Sequence, residues 1–129
     1  MLQPGICGHA ELCVTTADTA RALGSGELPV LATPAVAALI EKACWQAVAP
    51  ELEPGKGTVG TRLALAHTAP TPVGMTVRCD CTLTAVDGRR LTFTARVCDA
   101  AGEVAHAEHE RVVIDNDRFT AKAQAKTGQ

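Results

Sequence analysis

The chain has 129 residues, a net charge of −2 from 12 basic and 14 acidic side chains, and 47% hydrophobic residues, with only Trp45, Phe93 and Phe119 aromatic. That length suits one domain around one core, which must be built from Val, Leu, Ala, Ile and Cys. The charges are interspersed, there is no basic stripe and there are almost no rings to stack on bases, all of which argues against nucleic acid as a partner.

His9–Thr16 reads as a first strand, with Leu12 and Val14 on one face and Cys13 on the other. Before it, MLQPGIC has neither a basic region nor an apolar run, so no secretory signal is expected. No later run reaches the ~20 apolar residues that span a bilayer. The expectation is a cytoplasmic protein without a membrane partner. Asp18–Leu23 is short and helix-compatible, and Gly24-Ser25-Gly26 breaks it.

The strongest helix signal follows, from about Pro34 to Ala49. Thr33 suits the N-cap and Pro34 the first helical position, where a missing N–H costs nothing. Val36, Leu39, Ile40, Ala43, Cys44, Ala47 and Val48 then form one wide apolar stripe, and Pro50 ends it. Glu41 lies among these apolar positions, either at the solvent edge of the stripe or aimed into a cleft.

Beyond the polar turn at 51–57 the period changes to two. Thr58–Ala66 sets Val59, Thr61, Leu63 and Leu65 against Gly60, Arg62 and Ala64, and His67 ends that strand. The two prolines of Thr68–Pro72 exclude a central strand. Met75–Val86 puts Val77, Cys79, Cys81 and Leu83 on one side, and Asp87-Gly88 predicts a hairpin. Arg89–Cys98 puts Leu91, Phe93, Ala95 and Val97 on one face, and Val104–Asp115 is the last strand. The domain is expected over residues 1–119, with 120–129 a tail that frays for want of an apolar anchor. Three successive hairpin-like links make the later strands antiparallel, and the long helix is the available cover for their apolar face. The expected fold class is α+β, a curved antiparallel sheet wrapped around one long central helix. Open sheet edges favour a homodimer, with pairing of dimers into a tetramer left open.

The six cysteines are expected to be buried free thiols. Cys79 and Cys81 share a strand face, and no C-x₂₋₄-C pair of the kind that holds zinc occurs. His106 and His109 diverge on a strand, so HAEHE is not a metal motif. No metal or other cofactor is expected.

Three stretches carry a family resemblance: GSGELPVLATPAVAALIEKA at 24–43, TVGTRLALAHTAPTPVGMTV at 58–77, and VDGRRLTFTARVCDAAGEVAHAEHERVVIDNDRF at 86–119. In this text the chain resembles the fluoroacetyl-CoA thioesterase-like group of hot-dog-fold thioesterases. The resemblance implies a hot-dog dimer that hydrolyses an acyl-CoA with a Thr/Glu/His catalytic set. These roles fall on Thr33, Glu41 and His67, with the glycine of TVGT at Gly60 and the arginine of HER at Arg111. One departure is that Arg21–Ala32 has no aromatic residue, which points to another small or medium acyl group rather than the fluorinated one.

Thioester hydrolysis needs a base or nucleophile, donors for the oxyanion and a proton shuttle. Glu41 suits the first role and His67 the last, histidine being the side chain that exchanges protons near neutral pH. Thr33 can orient either the carboxylate or the carbonyl. Gly60 and Arg111 are read as substrate-binding, Arg111 toward CoA phosphates or toward a carboxylate near the site. Arg62, Arg89 and Arg90 are further candidates to hold CoA. Two other readings remain: a non-catalytic acyl-CoA binding module, and an acyl-thioester hydratase or dehydratase, for which Asp80 and Asp87 sit poorly.

Overall fold

The structure, a computed structural model, describes residues 1–128; Gln129, the last residue of the expected tail, lies outside them. In chain order the elements are β1 (Cys7–Cys13), a 3-10 turn (Thr16–Asp18), α1 (Ala20–Leu23), α2 (Thr33–Val48), a 3-10 turn (Ala49–Glu51), β2 (Lys56–His67), β3 (Thr76–Asp87), β4 (Arg90–Asp99), β5 (Gly102–Asp115), α3 (Asn116–Gln124) and a last 3-10 turn (Ala125–Thr127). The five strands make one antiparallel sheet in the order β1-β3-β4-β5-β2. Among the described residues no helix is long and apolar enough to cross a membrane.

The sheet curls around α2. Val36, Leu39, Ile40, Ala43, Cys44 and Val48 of the helix stripe are buried. They meet Val77, Cys79, Cys81 and Leu83 of β3 and Leu91, Phe93, Ala95 and Val97 of β4, all buried at the period the sequence predicts. Each Val, Leu or Ile so removed from water contributes about 2 kcal/mol. Helix and sheet approach closely at Gly8, where a Cβ would stand 2.5 Å from Ala47 Cβ. Glycine there lets α2 lie directly on β1.

One link differs from the expected hairpins. β3–β4 and β4–β5 are tight turns, but β2 pairs with β5 rather than β3. The stretch Thr68–Met75 therefore crosses from one edge of the sheet to its interior. Pro70 and Pro72 unsuit it for a two-residue turn, and it is anchored instead: Thr71 O accepts from Leu31 N at 2.9 Å, and the buried Thr71 hydroxyl donates to Asp99 at 2.9 Å. As a result β2 is an edge strand of 12 residues with one side unpaired.

The register along β2 is also corrected. Gly60 pairs with Arg111 and Arg62 with Glu110, so Thr61 is an extra residue in a β-bulge. The bulge reverses the alternation. Gly60, not Val59 or Thr61, shares the inner face with Leu63 and Leu65, whose partners on β5 are His109 and Ala107.

At the C-terminus the chain is helical through Gln124, past the point where a structureless tail was expected. Asp115 caps α3 by accepting from Arg118 N at 3.0 Å, and no α3 residue is buried. A capped polar helix leaves no apolar periodicity to read.

All six cysteines are free. Cys44, Cys79 and Cys81 are buried, whereas Cys7 and Cys13 are exposed, because β1 turns their face outward. Burial pushes the Cys79 thiol up to about 12, so it stays protonated and inert.

Candidate active site

The predicted residues gather in two groups, at two levels of α2. The first lies at the helix start. Ala32, not Thr33, is the N-cap, and Thr33 is already helical. Its hydroxyl is not spent on capping; it is hydrogen-bonded to His67 Nδ1 at 2.8 Å, where β2 ends beside the helix. The other ring nitrogen, His67 Nε2, is buried with no hydrogen-bond partner among the described residues. A buried polar atom left so is rare unless something is meant to meet it. Thr33 and His67 border a pocket of about 270 Å³, whose walls include Ala20, Val30, Leu31 and Ala69. None of its wall residues from Arg21–Ala32 is aromatic.

The second group lies eight residues on, about 12 Å along the helix axis. Glu41 Oε2 accepts from Arg111 Nη1 at 3.2 Å. The Arg111 side chain is 7% exposed and that of Glu41 46%, so the charge pair is rooted in the sheet and opens outward. Arg111 is fixed on its other sides: Nε donates to Thr58 Oγ1 at 2.8 Å and Nη2 to Thr58 O at 3.0 Å. A planar donor fork held this way aims one N–H at the carboxylate. Gly60 completes the group by omission. A Cβ there would stand 2.5 Å from Glu41 Oε2, 3.2 Å from His109 Cε1 and 3.3 Å from Arg111 Nη1.

His109 belongs here and the sequence reading passed over it. Its Nδ1 lies 2.8 Å from Arg62 O and its Nε2 3.2 Å from Arg111 Nη1. Since the guanidinium can only donate, Nε2 accepts and Nδ1–H donates to the carbonyl. The available signal was parity: His109 and Arg111 alternate with Ala105 and Ala107, all inward on β5. His106 points outward to Glu103. Among the described residues no cluster of three or more His, Cys, Asp or Glu side chains is placed to hold a metal ion.

Burial, with Arg111 beside it, holds the His109 imidazole below its ordinary 6.5. In the unfolded chain the ring takes a proton near that value, while in the folded chain it resists until lower pH. Stability is therefore complete above about pH 6.5 and falls as pH drops toward the folded value. Melting temperature followed by circular dichroism should decline between about pH 7 and pH 5, and His109→Gln should flatten that decline.

The other candidates lie elsewhere. Arg62 and Arg90 flank Glu110 at 3.7 and 3.9 Å, and Arg89 has no carboxylate partner among the described residues. Asp80 pairs with Arg78 and Asp87 with Arg90 on exposed strand faces, so neither is offered as an acid for hydration.

Comparison with known proteins gives this arrangement its context. The family model for FlK, a fluoroacetyl-CoA-specific thioesterase, matches residues 14–117. The fluoroacetyl-CoA thioesterase of Streptantibioticus cattleyicolor is 44% identical over 98 residues, which are 76% of this chain and 70% of that protein. A threonine-to-serine variant of FlK, solved in complex with acetyl-CoA, superposes with a TM-score of 0.92 at 37% identity, covering 98% of this chain and 99% of that one. A hot-dog-like protein from Thermanaerovibrio acidaminovorans shares the fold, with a TM-score of 0.89 at 23% identity over 99% and 95% of the two chains. The curled sheet around α2 is thus a hot-dog fold, and with most of its length inside that family model the chain belongs to the fluoroacetyl-CoA-specific thioesterase family.

Proposed function

We propose that this thioester hydrolase cleaves a small or medium acyl-CoA, at a site that two copies of the chain complete together. Thr33 and His67 come from one subunit, and Glu41, Arg111 and Gly60 from the other. The observation that carries the reading is His67 Nε2, buried and unpartnered while Thr33 holds Nδ1, at the end of an unpaired edge strand. Within one chain Glu41 is about 12 Å along the helix from that pair. Antiparallel pairing of two β2 edges about a two-fold between Leu63 and Ala64 sets His67 of one copy opposite Gly60 of the other. That brings the imidazole beside the partner subunit's carboxylate.

In the joined site the acyl carbonyl lies between the groups. Glu41 either attacks it directly, giving an acyl-Glu41 anhydride that water then hydrolyses to the free acid, or deprotonates a water that attacks; in each case a tetrahedral oxyanion forms. The Thr33 hydroxyl orients the reacting group. As the C–S bond breaks, His67 gives the CoA thiolate its proton. Arg111 keeps the Glu41 carboxylate aimed. The aliphatic pocket beside His67 suits a short unbranched or branched acyl chain.

The test is complementation. Glu41→Gln and His67→Ala chains are each made alone and then co-expressed, and thiol release from a panel of acyl-CoAs is measured. Each variant alone should be nearly inactive. The mixture should recover about a quarter of wild-type activity, because half the dimers are mixed and each carries one intact site. A mixture as dead as its parents would place the whole site within one chain. A wild type that binds acyl-CoA but turns over none of the panel would leave only a binding module.

A further inference from the structure

Two side chains able to carry positive charge are buried among the described residues, His109 and Arg111, and they touch. Like charges in contact away from water repel strongly, and a guanidinium does not give up its proton. The imidazole is therefore the neutral partner. An aliphatic residue at 109 would continue the inner face that Ala105 and Ala107 begin, and would pack on Phe93, whose ring centre is 6.2 Å from that of His109. The ring supplies what such a residue lacks, an acceptor.

That acceptor fixes the last free direction of Arg111. Nε and Nη2 both donate to Thr58. Nη1 carries two N–H groups at a fixed angle in the guanidinium plane. One meets His109 Nε2 and the other Glu41 Oε2, each at 3.2 Å. His109 is held in turn, because Nδ1–H donates to Arg62 O at 2.8 Å and leaves the Nε2 lone pair turned to the arginine. Arg62 follows the β-bulge at Thr61, so the bulge sets the carbonyl that orients the ring. A chain of bonds thus runs from β2 through two residues of β5 to the carboxylate on α2, around the space that Gly60 leaves open.

We propose that His109 is a positioning residue for hydrolysis: by accepting one Arg111 Nη1–H it directs the other at Glu41, and a proton on the ring releases that carboxylate. The proposal rests on the reading of Glu41 as the reacting group and names what holds it. Protonation makes Nε2 a donor facing a donor and sets two cations in one corner. The guanidinium must tip away from the ring, and the N–H aimed at Glu41 goes with it.

The groups bearing on the ring are few. Glu41 on α2, Glu110 on β5 and the Arg62 carbonyl on β2 favour its proton, while burial and Arg111 oppose it and prevail. Glu110 is flanked by Arg62 and Arg90, and β4 contributes the uncharged Phe93. Cys44 on α2 feels the guanidinium, but its thiol, hydrogen-bonded to Cys81 and buried, is pushed far up and adds no charge. The switch therefore lies on the acid side of neutrality.

The experiment compares full-length wild type, His109→Gln and His109→Leu. Glutamine offers Arg111 an amide oxygen and stays neutral at every pH, whereas leucine fills the space without an acceptor. Thiol release from an acyl-CoA is measured from about pH 8 to about pH 5, with far-ultraviolet dichroism at each pH to follow the fold. The titration of the ring is read from its nitrogen-15 resonances. At about pH 8, His109→Leu should lose about thirtyfold in kcat with KM within about twofold, and His109→Gln should stay within about threefold of wild type. The ratio of wild-type to His109→Gln rates cancels what Glu41 and His67 contribute to the pH profile. It should be level above the ring's midpoint and fall about tenfold per pH unit below it. In a Glu41→Gln background His109→Leu should cost little further rate, because it acts through the carboxylate.

A level ratio across the ring's titration in folded protein overturns the proposal, as does an undiminished His109→Leu loss in the Glu41→Gln background. Should His109→Leu fail to fold, the ratio decides. Nitrogen-15 spectra of the wild type also test the contact without substrate: the Arg111 side-chain signals should shift together with the ring. If they do so while no acyl-CoA is turned over, the hydrolase reading falls and the hold of His109 on Arg111 stands. Ring and guanidinium responding independently overturn the proposal whatever the rates.

Discussion

Glu41→Gln should lower kcat for acyl-CoA hydrolysis by about a thousandfold while leaving KM and the melting temperature nearly unchanged. The amide is the same size as the carboxylate and its oxygen can still accept from Arg111 Nη1, so the guanidinium keeps its place. What the substitution removes is the capacity to take a proton or to attack carbon. Because the Glu41 side chain is 46% exposed, its charge contributes little to folding, and the loss should be confined to chemistry. The measurement is steady-state thiol release beside a thermal melt of the same preparation. A variant within about twofold of wild type would remove Glu41 from the mechanism.

Gly60→Ala is the second large effect, of about a hundredfold on kcat. The added methyl would meet Glu41 Oε2 at 2.5 Å, closer than real contacts allow, while His109 and Arg111 are already near their limits. Of the three, only the carboxylate is the free end of a flexible chain with water to swing into. It should give way, and a reacting group displaced by about 1 Å loses on the order of a hundredfold in rate. Stability should change little, since the strain is relieved outward. Activity and melting temperature measured together separate this outcome from simple misfolding. Full activity in Gly60→Ala would mean the carboxylate works from some other position.

The alternation of β3 and β4 was legible from Val77, Cys79, Cys81 and Leu83 and from Leu91, Phe93, Ala95 and Val97, because each strand has one dry face. The helix was legible from its stripe. Three things were not. The bulge at Thr61 leaves no mark in a strand of small residues, so the inner face of β2 was assigned one residue out of step. Thr33 followed by Pro34 reads as a cap, and only the approach of His67 across 34 residues of chain gives its hydroxyl another partner. By spacing alone His109 compares only with His106, as a metal ligand. Its real neighbour is Arg111, two residues on, and pairing across the inner face became visible once Ala105 and Ala107 were seen to be buried. The separation of Thr33 from Glu41, by contrast, follows from eight residues of helix and was open to arithmetic.

The scarcity of rings has a practical result for anyone working with the protein. Phe93 is the one buried aromatic of the core, there is no tyrosine, and Trp45 is already 45% exposed in the native state. Indole emission will barely shift when the chain denatures, and near-ultraviolet dichroism will be faint. Loss of structure must be followed in the far ultraviolet or by heat uptake, which leaves Trp45 as a reporter of what docks against α2 rather than of whether the molecule is folded.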